Sequence, residues 1–267
     1  MKTLFIILLF SSSLVASEKK TIALLGQYHL SAKAITKDIE QSKQLPQFNN
    51  QKAIYLVLDE WVRNKKLQLI ISEGCEGEID EKFRPSFNGW NYLSLRKNRK
   101  LSVYEDILTL VPLKIEAKYD KEIKTLCGDD LQMIAKHQLL FSDLKGYIGF
   151  FTRLKESVAG TKKYESYLRA LEDSEKRKIK QPVDYLKKKI KGLIEQEEAM
   201  VSQRNKSFLK VVQGSEASTV AIVIGNRHLE DLKTSLEKQG HKVLLFDLVQ
   251  ETIPKNDLHQ QLKSMIE

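Results

Sequence analysis

A short phrase containing a histidine occurs twice in this sequence, and it carries the side chains best suited to chemistry. The first copy reads IALLGQYHL around His29, and the second reads AIVIGNRHL around His228. With 12 glycines and 5 histidines in 267 residues, roughly 0.2 such Gly-x-x-His phrases are expected by chance. Because histidine binds metals and moves protons near neutral pH, the repeated phrase predicts one shared functional site.

Acidic residues follow two other strand-like runs, at Glu73 and Asp130. Ligands of parallel sheets bind beyond the carboxyl ends of the strands, so we expect these acids and the two histidines to converge. Two imidazoles and a carboxylate are a common ligand set for a catalytic divalent metal that activates water. Without a metal, the same groups can act as a histidine base oriented by a carboxylate.

Structural explanations compete with these functional ones. Glu73 could cap a helix or form a salt bridge, and Asp130 could cap a helix that begins at Leu131. A lone histidine at a strand end is often a capping or core residue, although the repeat favours function here. Three histidines without a motif are expected in surface or packing positions: His137, His241 and His259.

A long helix predicted over residues 183–212 carries Glu197 and Arg204 on its apolar stripe. A charged pair on a buried helix face needs partners. Two interpretations remain open at this point. The pair forms an internal ion-pair network, or the arginine reaches the site to hold an anionic group.

The order of the predicted elements indicates the fold class. Helix–strand alternation at both ends predicts an α/β fold with a mostly parallel central sheet formed by the N- and C-terminal parts. A lysine- and glutamate-rich stretch at about 131–212 predicts a helical insertion in the middle. The predicted strands are 21–25, 67–72, 123–127, 219–224 and 242–246, and the predicted flanking helices are 51–64, 103–114 and 229–239.

The N-terminal residues have the pattern of a targeting segment. Lys2, a short apolar run and a small, polar stretch predict a signal peptide over residues 1–17, leaving a single domain over 18–267. We therefore expect an exported protein, periplasmic or secreted, with no transmembrane span in the mature chain. In an oxidising compartment Cys75 and Cys127 could form a disulfide, but the sequence does not distinguish a bridge from two buried thiols.

The formal net charge is +9, from 44 basic and 35 acidic residues. Lysines spread over helix surfaces favour a solvated exterior, and expected export argues against a nucleic-acid partner. An anionic envelope surface is the alternative partner for this charge.

Taken in order, the motifs resemble the TraB/GumN family and its relatives, the Tiki proteases, the ChaN haem-uptake proteins and the erythromycin esterases. The resemblance spans nearly the whole mature chain. The motifs that carry it are Gly26-x-x-His29, Ser72-Glu73-Gly74, Gly128-x-Asp130, Arg204-Asn205 and Gly225-x-x-His228-Leu229.

This resemblance implies an exported hydrolase that cleaves a peptide or a small-molecule ester. His29, Glu73 and His228 are the expected catalytic residues and the expected ligands of a divalent metal (Mn, Co or Zn). Arg204 is expected to stabilise the charge that develops at the attacked carbonyl. The alternative is a ChaN-type protein that binds haem through a histidine or tyrosine without turnover. The expected substrate-binding residues are Tyr28, Asp130, Asn205 and Arg227.

Overall fold

A computed structural model of the protein describes most of the chain after the predicted signal peptide. Residues 1–17 and His29 lie outside the described part. The described residues are 19–28, 46–64, 66–78, 111–119, 122–246 and 248.

Six strands of the described residues form one sheet, in the order β3-β4-β2-β5-β1-β6. β3 runs antiparallel to β4, and every other neighbouring pair is parallel. This arrangement confirms the predicted mostly parallel sheet built from the N- and C-terminal parts. The strands are β1 (Thr21–Gln27), β2 (Leu69–Ser72), β3 (Glu76–Glu78), β4 (Lys124–Gly128), β5 (Thr219–Gly225) and β6 (Lys242–Phe246).

Helices flank the sheet and form the predicted insertion between β4 and β5. The insertion consists of α3, α4 and α5, and it ends at Gly214, close to the predicted end. A single 3-10 turn, Asn226–His228, connects β5 to α6. The described helices are α1 (Pro46–Arg63), α2 (Val111–Lys118), α3 (Leu131–Lys155), α4 (Lys162–Glu175), α5 (Pro182–Gly214) and α6 (Leu229–Lys238).

Two helices extend beyond their sequence-based predictions. The predictions placed helices over 51–64 and 103–114, whereas α1 already includes Pro46 and α2 continues to Lys118. Residues 103–110 lie outside the described part, so the predicted start of the second helix stays a prediction.

The sheet buries both of its faces, because successive strand residues point to opposite sides. On one face Leu24 packs in a cluster with Phe208 of α5 and Leu232 of α6. On the other face Leu25 packs in a cluster with Leu58 of α1. The central strands are consequently held between two layers of helix.

The helical insertion has a core of its own. Phe151 of α3, Leu171 of α4 and Leu186 of α5 belong to one buried cluster that is separate from the two clusters of the sheet. α5 has 33 residues and is therefore roughly 50 Å long. Its first half packs in the insertion and its last turns pack on the sheet, so its middle lies where the two meet.

The two copies of the histidine phrase lie side by side in the sheet. β1 and β5 are neighbours, and Gln27 is in register with Gly225. A Cβ atom at Gly26 would lie 2.3 Å from Asn226 Oδ1 and 2.9 Å from Leu229 Cδ1. The glycine of the first copy thus allows the turn of the second copy to pack directly against β1.

We predict that Gly26→Ala destabilises the protein. The added methyl group must displace the side chains of Asn226 and Leu229, which flank His228 in the chain, and this should lower the free energy of unfolding by about 1–3 kcal/mol. Urea unfolding followed by circular dichroism measures the change. The matched control is Gly192→Ala in α5, where a Cβ would meet nothing within 4 Å outside its own helix. This control should be neutral or stabilising by about 0.5–1 kcal/mol; equal unfolding midpoints for the two variants would contradict the close approach.

Candidate functional site

The carboxyl ends of four adjacent strands carry a polar cluster. Asp129 follows β4, Glu73 follows β2, His228 lies in the turn after β5, and Gln27 ends β1. Because these four strands are parallel neighbours, the side chains meet at one edge of the sheet. The middle of α5 crosses this edge and adds Arg204 to the cluster.

Arg204 is buried, with only 5% of its surface exposed. Its Nε and Nη2 donate to the two oxygens of Asp129 at 3.0 and 2.5 Å. Nη2 also donates to Glu73 Oε1 at 2.8 Å, and Nη1 contacts Nδ1 of His137 at 2.9 Å. Burial opposes the charged form, but Asp129 and Glu73 outweigh it and raise the pKa of Arg204. Arg204 is therefore a permanent buried cation.

Glu73 connects three strands at the sheet edge. Its Oε1 accepts from Arg204, and its Oε2 accepts from the backbone N–H of Gly225 at 2.6 Å. The side-chain amide of Gln27 also donates to Oε2, at 3.4 Å. This buried carboxylate thereby ties the end of its own strand to β5 and β1.

His228 has a defined tautomer because a chain of hydrogen bonds orients its ring. Asn205 donates through Nδ2 to Asp231 at 2.9 Å, and Ser202 donates to the same carboxylate oxygen at 2.8 Å. That donation leaves Asn205 Oδ1 as the acceptor for Nδ1–H of His228, at 2.7 Å. In the neutral ring the lone pair is then on Nε2, which lies 3.6 Å from Glu73 Oε1.

Burial keeps the His228 ring neutral. Desolvation lowers the pKa of His228 to about 4, nearby Glu73 opposes the shift, and Arg204 adds to it. The imidazole therefore carries no proton on Nε2 at neutral pH. The fixed lone pair on Nε2 can accept a proton beside a carboxylate, and the lowered pKa makes this ring a weaker base than an ordinary histidine.

A second ion pair extends the cluster into the insertion. Glu197 accepts from Nη1 and Nη2 of Arg227 through its two oxygens, and from Nε2 of His137 at 2.8 Å. Burial opposes ionisation of Glu197, but the hydrogen bonds from His137 and Arg227 outweigh it and lower its pKa to about 2. Since Arg204 donates to the other ring nitrogen, His137 bridges the two ion pairs.

These contacts decide two of the interpretations left open by the sequence. Glu197 and Arg204 are both buried, and both belong to an ion-pair network, as the first interpretation proposed. Asp130 is the N-cap of α3, where its Oδ1 accepts from the N–H of Met133 at 2.9 Å. The preceding residue, Asp129, is the acid that contacts the arginine.

The other predicted site residues differ in whether they lie in the polar cluster, at the surface or outside the described residues. Asn205 is buried and holds His228, whereas Arg227 is committed to Glu197. Tyr28 ends the described part of the first phrase, with its backbone held by Asn50 and Gln51 and 39% of its surface exposed. His29 and His259 lie outside the described residues.

Sequence reasoning missed Asp129 and His137. Asp129 adjoins the predicted Asp130, and a strand-end rule does not choose between neighbouring acids. His137 was assigned a surface or packing role, although it follows buried Ile134 by three residues and precedes buried Leu144 by seven. That helical spacing places it on the inner face of α3 and is the signal that could have identified it.

A disulfide links Cys75 to Cys127, which resolves the open question about these two cysteines. The bond joins the segment just after Glu73 to β4, two residues before Asp129. The same region is held by hydrogen bonds from Gly74 N–H to Asp129 Oδ2, at 3.2 Å, and from Asp129 N–H to the carbonyl of Cys75, at 3.0 Å. The disulfide thus links the two segments that carry Glu73 and Asp129, the acids that contact Arg204.

The predicted metal site lies only partly within the described residues. Among the described residues, no group of three or more histidine, cysteine or acidic side chains is placed to hold a metal ion. Of the three predicted ligands, only Glu73 and His228 fall within the described ranges. The guanidinium of Arg204 lies 2.8 Å from Glu73 Oε1, and its permanent charge would repel a cation at that oxygen.

No family model, curated protein or solved structure matches this chain. The resemblance to the TraB/GumN family therefore stays a prediction. None of the helices in the described part is both long and apolar enough to cross a membrane.

We predict that Glu197→Gln destabilises the protein at pH 7 and much less in acid. The depressed pKa of Glu197 means that its contribution is complete above its ordinary pKa of 4.5 and is lost as the pH falls toward about 2. A shift of this size corresponds to a loss on the order of 3 kcal/mol at pH 7. Urea unfolding at a series of pH values checks both the size and the sign.

The control is Glu195→Gln, which makes the same change at an exposed position of the same helix. It should alter the free energy of unfolding by less than about 0.5 kcal/mol at any pH. A difference between Glu197→Gln and the unsubstituted protein that stays constant from pH 7 to acid would contradict the role of the ionised carboxylate.

Proposed function

We propose that this chain is a hydrolase that cleaves an ester or peptide bond with His228 as its general base. The observation that carries the proposal is the orientation of His228. Asn205 holds its Nδ1–H, and its unprotonated Nε2 is directed to the strand ends, 3.6 Å from Glu73. This is the edge at which parallel sheets bind their ligands.

The proposed reaction begins when Nε2 of His228 takes a proton from water and the water oxygen attacks the carbonyl carbon. The resulting imidazolium lies beside the Glu73 carboxylate, whose charge favours it. Collapse of the tetrahedral intermediate breaks the bond to the leaving group, which receives the proton from Nε2. His228 returns to its neutral form, and Glu73 remains ionised throughout.

In this proposal Arg204 positions other residues and does not contact the substrate. Four of its five N–H donors are directed at Asp129, Glu73 and His137, so the guanidinium is already committed. This differs from the expectation that Arg204 stabilises the attacked carbonyl. The arginine holds Glu73 beside His228, and its positive charge helps to keep the ring neutral.

Export of the hydrolase, periplasmic or secreted, is part of the same proposal. The Cys75–Cys127 bond supports it, because disulfides form and persist mainly in oxidising compartments. The predicted signal peptide at residues 1–17 points in the same direction.

We predict that His228→Gln lowers kcat/KM by about 10²–10⁴-fold, the usual contribution of a general base. Purified protein would be assayed on a panel of p-nitrophenyl esters and on fluorescence-quenched peptides. In the unsubstituted protein kcat/KM should fall as the pH drops through about 4, because protonation of His228 removes the base. An acid limb near pH 6.5 would indicate a solvent-exposed histidine instead.

His241→Gln is the matched control. His241 is buried and directly precedes β6, so it lies at the amino-terminal ends of the parallel strands, away from the polar cluster. This substitution should leave kcat/KM unchanged within about twofold, well below the effect of removing a base. Urea unfolding of both variants separates loss of catalysis from loss of folding. Equal hydrolysis rates in folded His228→Gln and His241→Gln would overturn the proposal.

Two measurements on the same preparation test the expected alternatives. If elemental analysis finds about one Mn, Co or Zn ion per chain, and His29→Ala/His228→Ala loses it, a metal-dependent mechanism would replace the metal-free one. A Soret band on haem titration, lost in Tyr28→Phe and without hydrolysis of any probe, would favour a haem-binding protein. The observation that favours this second candidate is the exposure of Tyr28, which directly follows Gln27 of the polar cluster in the chain.

We predict that Asn205→Leu lowers kcat by roughly 10–100-fold, as is common for partners that orient a functional histidine. Leucine has a similar volume but no acceptor for Nδ1–H, so the lone pair of His228 is no longer confined to Nε2. KM should change little, because Asn205 is buried and contacts His228 and Asp231. Steady-state kinetics on the best probe separates kcat from KM, and an unchanged kcat would exclude the orienting role.

A further inference from the structure

Positive charge is concentrated in the helical insertion. Residues 131–214 contain 18 lysines and arginines against 10 acids, a net charge of +8. The rest of the chain contains 26 basic and 25 acidic residues, a net charge of +1. The insertion therefore carries most of the net charge, and the rest of the chain is nearly neutral.

Within the insertion, the charge lies in the half that is remote from the sheet. α3 and α5 run side by side. Near the sheet, His137 of α3 contacts Arg204 of α5. Farther from the sheet, Tyr147 of α3 and Tyr185 of α5 both donate to Glu175 of α4. The segment 153–191, which we call the distal arm, holds 13 basic and 6 acidic residues. Its net charge is +7, which is most of the net charge of +9 that the chain carries.

The basic side chains of the distal arm face solvent, whereas two of its acids turn inward. Eleven of the 13 basic residues are exposed, and the other two are half-buried. Glu175 accepts from the hydroxyl groups of Tyr147 and Tyr185, and Glu172 accepts from the N–H of Ile179 as well as from Lys178. The surface that a partner meets is thus more positive than the composition alone indicates.

The chemistry of the arm fits a diffuse anionic surface. Ten of its 13 basic residues are lysines, which act as mobile point charges, whereas arginine is preferred where phosphates are bound in a fixed geometry. The turn between α3 and α4 exposes an apolar side chain, Val158, at 73%. Lys155, Lys162 and Lys163 flank this turn. Clusters of basic residues bind anionic lipid headgroups, and an apolar side chain beside them can enter the membrane interface.

We infer that the distal arm docks the protein on a membrane surface rich in anionic phospholipids. Lys187 and Arg204 lie 17 residues apart on α5, which is about 26 Å along the helix. An arm bound to lipid through its far end therefore leaves the polar cluster at the sheet edge clear of the membrane. This inference does not depend on the proposed hydrolase activity.

The test is co-sedimentation with lipid vesicles of the full protein, in the form in which it is isolated. We expect binding to vesicles of phosphatidylglycerol and phosphatidylcholine in equal parts and none to pure phosphatidylcholine. Binding should weaken at least about tenfold between about 0.05 and 0.5 M NaCl, because salt screens surface charges. Lys162→Glu/Lys163→Glu/Lys180→Glu should weaken binding to the anionic vesicles at least about tenfold.

A second triple variant has the same charge change away from the arm: Lys52→Glu/Lys66→Glu/Lys238→Glu, all at exposed positions. It should bind within about threefold of the unsubstituted chain, because only residues near the lipid contribute. Equal weakening by the two triple variants would overturn the inference, since net charge and not the arm would then be responsible. Retention on heparin without any vesicle binding would also overturn it and would indicate a soluble polyanion.

Discussion

The buried guanidinium of Arg204 is the constraint on which the rest of the site depends. A charge removed from water must be paired and hydrogen-bonded, or its burial costs several kcal/mol. The partners of Arg204 come from three directions: Glu73 from the end of β2, Asp129 from the end of β4, and His137 from α3. Satisfying one cation therefore fixes two strand ends and the first turns of the insertion against α5.

The same helix joins the site to the two halves of the molecule. α5 contributes Leu186 to the core of the insertion and Val212 to the core of the sheet, with Arg204 and Asn205 between them. Neighbouring residues on this helix have different tasks. Arg204 holds the acids, and Asn205 holds the ring of His228. A change in how the insertion packs would consequently reach both the carboxylate and the proposed base.

The sequence was sufficient for the parts of this arrangement that have a local pattern. Apolar runs and their order predicted the parallel strands, the helical insertion and the edge shared by Glu73 and His228. The pattern could not choose Asp129 over Asp130, because one residue at a strand end decides which acid turns inward. Nor could it supply the tautomer of His228, which depends on an amide oriented by Asp231, 26 residues beyond Asn205.

The charges of the polar cluster nearly cancel, although the chain as a whole is strongly basic. Its three buried acids, Glu73, Asp129 and Glu197, face two arginines, Arg204 and Arg227, so the cluster is slightly acidic within a chain of net charge +9. Burial lowers the pKa of His228 to about 4, and Glu73 and Asp129 oppose this shift and so favour the imidazolium that the proposed reaction requires. The basic arm lies more than about two Debye lengths away at physiological salt, too far to cancel this effect. The shared helix therefore separates a surface suited to anionic lipid from a site that must stabilise a cation.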